Sequence, residues 1–82
     1  MSEDTTTTHV TECDGLEASW TLIWRGAEIE GIAVTGVYDT ADDLPVVSIG
    51  QAPYPDLAEA RRRWPRLTDL WDAVRHDFWH PR

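Results

Sequence analysis

One decapeptide constrains this chain more than any other segment. From Leu16 to Arg25 the side chains follow a period of two, with Leu16, Ala18, Trp20, Leu22 and Trp24 on one side. Glu17, Ser19, Thr21, Ile23 and Arg25 fall on the other. A helix cannot sort these residues onto one face, whereas a half-buried strand does so automatically. The run is also rich in aromatic and β-branched types, which suit a pleated surface. The chain must therefore build a sheet whose Trp20 face needs cover.

Gly26-Ala27 suits a two-residue hairpin turn, so 28–38 is expected to return as a second strand. Its parity breaks, because Ile29 is out of phase with Ile32, Val34 and Tyr38. One extra residue at Gly31 restores a single apolar face, which predicts a β-bulge there. The polar stretch 39–44 reads as a loop. Residues 45–50 read as a short third strand whose opening Pro45 belongs at an edge.

Beyond Pro55 the period changes. Leu57, Ala60, Trp64, Leu67, Trp71, Val74 and Phe78 are spaced alternately by three and four, a helical seam. Asp56 is placed to cap its start. Pro65 interrupts the seam, removing a backbone donor and clashing with the preceding turn. Two helices, about 56–63 and 65–79, are expected, with one helix kinked at Pro65 as the alternative. Leu57, Trp64, Trp71 and Phe78 also recur every seven residues, as in a helix–helix interface. Core packing is preferred, because the sheet's tryptophan face has no other cover. The expected architecture is α+β: a three-stranded antiparallel meander (about 16–25, 28–38 and 45–50) under one or two C-terminal helices.

Residues 1–15 show no apolar periodicity and include four consecutive threonines, Thr5 to Thr8. They are expected to form a disordered acidic arm, leaving 16–82 as a single small domain. With 82 residues and one cysteine, Cys13, neither a second domain nor an internal disulfide is available. Met1 to Gly15 has no basic or apolar leader pattern and no run is long and apolar enough to span a bilayer, so a cytoplasmic location is expected.

Charge narrows the function. The formal net charge is −8, with twelve carboxylates against Arg25 alone before residue 61 and six arginines against three aspartates after it. This field repels nucleic acid and anionic membranes and attracts basic proteins. Folding the first two strands into a hairpin gathers Glu12, Asp14, Glu17, Asp39, Asp42 and Asp43 at one end. Glu17, Asp39, Asp42 and Asp43 are the expected contact residues for a partner protein with a basic surface. A binding module of this type, occupying the nucleic-acid-binding surface of its partner as an inhibitor or modulator, is the leading expectation. Its size and charge are those of phage counter-defence proteins, an analogy of general properties alone.

The competing expectation is an accessory or assembly subunit, a homodimer included, that docks through its C-terminal helix. Arg62, Arg66, Leu70 and Trp79 are its candidate contacts, since Leu70 and Trp79 lie off the seam. The arginines 61–63 and 66 around Trp64 are otherwise expected to pair with the chain's own carboxylates. Asp72, His76 and His80 recur every four residues, and His9 and Cys13 share that spacing, but neither makes a recognised ligand motif. No metal, cofactor or direct nucleic-acid ligand is expected. There is also no P-loop, G-x-S-x-G or dinucleotide fingerprint, so catalytic activity is not expected.

Overall fold

The computed structural model describes residues 8–42, 44–47, 49 and 53–80. Within them lies an antiparallel sheet in the order β1 (His9–Cys13), β2 (Leu16–Arg25), β3 (Glu28–Asp39) and β4 (Leu44–Pro45). Two helices follow, α1 (Leu57–Arg63) and α2 (Thr68–Trp79), separated by a 3-10 turn over Pro65–Leu67. The α+β expectation holds, with four strands in place of three.

The added strand is β1, drawn from the segment expected to be a loose arm; residues 1–7 of that arm lie outside the described residues. It is joined to β2 through Asp14 and Gly15, both at positive φ (53° and 83°). That is the signature of a two-residue type I′ turn, whose twist matches the strands it joins. Apolar burial of Cys13 against the core is only part of what holds β1. His9 stacks on Trp20 with ring centroids 4.4 Å apart. The Trp20 Nε1–H donates to Thr11 Oγ1 (2.9 Å), and that hydroxyl donates to Asp77 Oδ2 on α2 (2.7 Å). Thr11, 3% exposed, thereby ties β1, β2 and α2 through one oxygen.

Between β2 and β3 the register slips twice. Ile23 pairs with Gly31 and Trp24 with Ile29, which leaves Glu30 as the extra residue beside the expected bulge position. Ser19 pairs with Gly36 and Trp20 with Val34, so Thr35 is a second bulge that was not expected. Its effect is to turn Val37 inward, fully buried, and Tyr38 outward. Tyr38 was expected on the core face; instead its ring lies over Gly36, where a Cβ would meet it at 2.8 Å. The third strand is shorter than expected: pairing is confined to Leu44–Pro45, with Val46 N donating to Val37 O beyond it (2.7 Å). Residues 48 and 50 of the expected strand lie outside the described residues.

The helices cover the Trp20 face. Asp56 caps α1, its Oδ1 accepting from Glu59 N (2.8 Å). The chain breaks at Trp64, where the following proline disfavours helical backbone (φ −128°, ψ 69°). The two-helix reading is therefore the one observed. The break is filled by Trp71, whose buried indole N–H donates to the carbonyl of Trp64 (3.0 Å). Ala18, Trp20, Ile32, Val34 and Val37 from the sheet meet Ala60, Leu70, Trp71 and Val74 from the helices in one core. Of the five tryptophans only Trp20 and Trp71 are buried; Trp24 and Trp79 are exposed.

Candidate functional site: the acidic end of the sheet

The β1–β2–β3 register decides which carboxylates meet. Glu12 stands directly opposite Glu17, and Glu17 opposite Tyr38, which in turn faces Pro45. Directly paired residues project to the same side of a sheet, so Glu12, Glu17 and Tyr38 form one row across the strands on the face away from the helices. Asp39 pairs with Leu16 and Leu44 one position further along. Asp42 follows in the adjoining turn. Asp14 sits at the β1–β2 turn, and Asp69, in the first turn of α2, is near enough to act on Cys13. Asp43, the fourth of the expected contacts, lies outside the described residues.

These carboxylates have different jobs. Asp39 Oδ1 accepts from Ala41 N (2.8 Å) and Asp42 N (3.3 Å), so it shapes its own turn before it can meet anything else. Thr40 secures that turn by donating from N and Oγ1 to Gly15 O, each at 3.0 Å. Asp42 is exposed. Glu12 and Glu17 are like charges placed directly across a strand pair, an arrangement that costs stability. Among the described residues neither has an arginine or histidine within ion-pairing distance. Arg25 pairs instead with Glu30 (3.5 Å), Arg61 with Asp72 (2.8 Å), and Arg62 and Arg63 with Glu59. Exposed Tyr38 continues the row beyond Glu17, whereas Leu44, also exposed, pairs with Asp39 and takes the other side.

Cys13 closes this end on the helix side. Its partial burial pushes the thiol above its ordinary value, and the carboxylates of Asp14 and Asp69 add to the shift; the thiol donates to Asp14 Oδ2 at 3.9 Å. A neutral thiol is a poor nucleophile.

The helical alternative fares differently. Leu70 is 2% exposed and belongs to the core, which corrects its expected place in a docking patch. A helix lying on a sheet buries a stripe wider than the seam of a helix pair, and Leu70 falls inside that wider stripe. Arg62 is paired with Glu59, whereas Arg66 lines a groove of about 380 Å³ with Val46, Trp64 and Pro65. Trp79 is 66% exposed but stands at the far end of α2, roughly 16 Å along the axis from Thr68, whereas Arg66 lies in the turn before that helix. Those four residues do not form one surface. Asp72 is held by Arg61, and the rings of His76 and His80 meet with centroids 4.4 Å apart, tilted by 30°. Among the described residues no three His, Cys, Asp or Glu side chains gather as a metal site would require.

A second groove, of about 600 Å³, runs beside β1, lined by Val10, Thr11, Glu12 and Glu17 from the sheet and by Ala73 and His76 from α2. It adjoins the acidic row and was not anticipated from the sequence, because it depends on β1 being a strand at all. No described helix is long and apolar enough to cross a membrane. No family profile, curated protein or solved structure matches this chain.

Proposed function

We propose that this protein is a small acidic binding module that seats the end of its sheet on a basic surface of a partner protein. Where that surface binds nucleic acid, occupancy would inhibit or modulate the partner. The carrying observation is the Glu12–Glu17 pair: two carboxylates placed directly opposite each other with no ion pair among the described residues, whereas Glu30, Glu59 and Asp72 each hold an arginine. A partner's arginine or lysine relieves a repulsion that the isolated fold must bear. Tyr38 supplies apolar area beside Glu17, and exposed Asp42 adds charge in the adjoining turn.

The test is affinity capture with the tagged protein, bound proteins being identified by mass spectrometry after washes at about 50 and about 500 mM salt, which bracket strong and weak screening. The proposal expects a basic protein that is released by salt, is retained by Trp79→Ala, and is lost with Glu17→Gln/Asp42→Asn. A partner that resists salt and is lost with Trp79→Ala would refute it and transfer the site to the end of α2.

A further inference from the structure

We propose that β1 is an open docking edge that takes up an extended, basic segment of the partner as a fifth antiparallel strand. This rests on the acidic-surface reading and adds to it a mode of binding. A two-residue type I′ hairpin closes on a hydrogen-bonded pair, here Cys13 and Leu16. Pairs then alternate, so Thr11–Ala18 and His9–Trp20 are bonded inward, while Val10 and Glu12 turn their N–H and C=O groups away from β2. The same phase continues on the other side of β2, where Thr40 N bonds Gly15 O. Among the described residues nothing pairs with that outer edge: β1 is terminal in the sheet. The opposite edge is handled differently. There Val34 N donates to Pro55 O (2.8 Å), Asp56 bridges Ala33, and β4 carries Pro45. Among the described residues the sheet thus blunts one edge and leaves the other open.

The groove beside β1 gives an incoming strand a place to lie, and the small side chain of Ala73 leaves room on the helix side. Charge selects the occupant. On the open face a residue opposite Glu12 stands one strand spacing from it, about 4.8 Å, and two from Glu17. An arginine or lysine there meets both carboxylates, and no arginine lines the groove to compete. The intervening side chains of the incoming strand turn to the helix side, where Ala73 lines the groove, so alternating basic and apolar side chains suit the edge. A second copy of this chain is the poorer occupant. Pairing β1 with itself would bring together two molecules of net charge −8 and align two Glu12–Glu17 rows on one face.

The probe is a synthetic peptide of roughly nine residues, the reach of a long strand, alternating arginine with valine or threonine. Its comparator carries the same side chains but is N-methylated at alternate amides, those that would donate to Val10 and Glu12. The result expected is binding by the first peptide, at least about tenfold weaker binding by the second, and slowed amide exchange at Val10 and Glu12 in the first complex. Glu12→Gln should lower affinity by about threefold to tenfold without altering the exchange pattern of β2 and β3. Equal binding of both peptides, or no protection at Val10 and Glu12, overturns strand addition. Salt-sensitive capture of a partner under that result would leave the acidic-surface reading standing, so the two failures are separable. Protection at Val10 and Glu12 without peptide, rising with protein concentration, would overturn the basic occupant and assign the edge to a second copy.

Discussion

Replacing Thr11 by valine removes one hydroxyl and little else. Shape is kept, and valine is at home in a strand. The loss falls on two partners. The Trp20 indole N–H, in a residue 3% exposed, has its bond to Thr11 replaced by nothing, a cost of about 1–3 kcal/mol. Asp77 loses a short bond at 2.7 Å, worth about 1.5–3 kcal/mol for a charged acceptor but discounted because this carboxylate is only half-buried. Together these give about 2–4 kcal/mol, a large share of the roughly 5–15 kcal/mol that holds a domain folded. The midpoint of thermal unfolding should fall by roughly 10–25 °C. Urea unfolding followed by far-ultraviolet circular dichroism reads the change without relying on tryptophan emission. A double-mutant cycle adds specificity, because in a Trp20→Phe background no indole donor is left stranded. Thr11→Val should then cost at least about 1 kcal/mol less than in the wild type. A Thr11→Val cost below about 0.5 kcal/mol, or costs that simply add, would refute the claim that this oxygen ties β1 to the domain.

Four further outcomes follow from the same contacts. Glu12→Gln should stabilise the isolated protein by a few tenths of a kcal/mol while weakening partner binding, measurable by parallel urea and binding titrations. Asp56→Ala should destabilise by about 1 kcal/mol through loss of the α1 cap, seen in the same urea assay. Hydrogen bonds from Arg62 and then Arg63 hold the Glu59 carboxyl below its ordinary value. Its contribution is therefore present above the ordinary glutamate range and lost as pH falls through the lowered folded value, and Glu59→Gln should flatten the acid limb of a stability–pH profile. For Cys13 the sign reverses: a raised thiol favours the folded state through neutral pH, and that contribution is lost as pH rises through the folded value. Alkylation at mildly alkaline pH should be slower than for a free thiol, and Asp14→Asn should speed it.

The strongest sequence signals became the elements they implied. The period of two in Leu16 to Arg25 is β2, the Gly26-Ala27 turn joins it to β3, and Pro65 parts the helices. Each is a local rule acting on adjacent residues. β1 is hard to read from sequence because its inward side chains, His9, Thr11 and Cys13, include no large apolar residue; His9 and Thr11 are held by stacking and hydrogen bonding to Trp20 and Asp77, partners remote in sequence. The bulge at Thr35 is tertiary in origin as well: it places Val37 rather than Tyr38 in the core, a choice that only the packed helices impose. Leu70, off the heptad seam, is buried because the stripe a sheet demands is wider than that seam. Of the candidate site, hairpin geometry foretold the gathering of Glu17, Asp39 and Asp42. The opposition of Glu12 to Glu17 and the groove beside them required the missing strand.

The central claim is that the acidic end of the sheet binds a basic protein surface. Its most direct measurement is the affinity of the captured partner for wild type, for Glu12→Gln/Glu17→Gln and for Trp79→Ala, each across a salt series. The account predicts that wild type and Trp79→Ala bind alike and lose affinity steeply with salt. The double variant should start weaker and depend less on salt, since it brings two fewer charges to the interface. Equal affinity and equal salt slope for the double variant and wild type would contradict it.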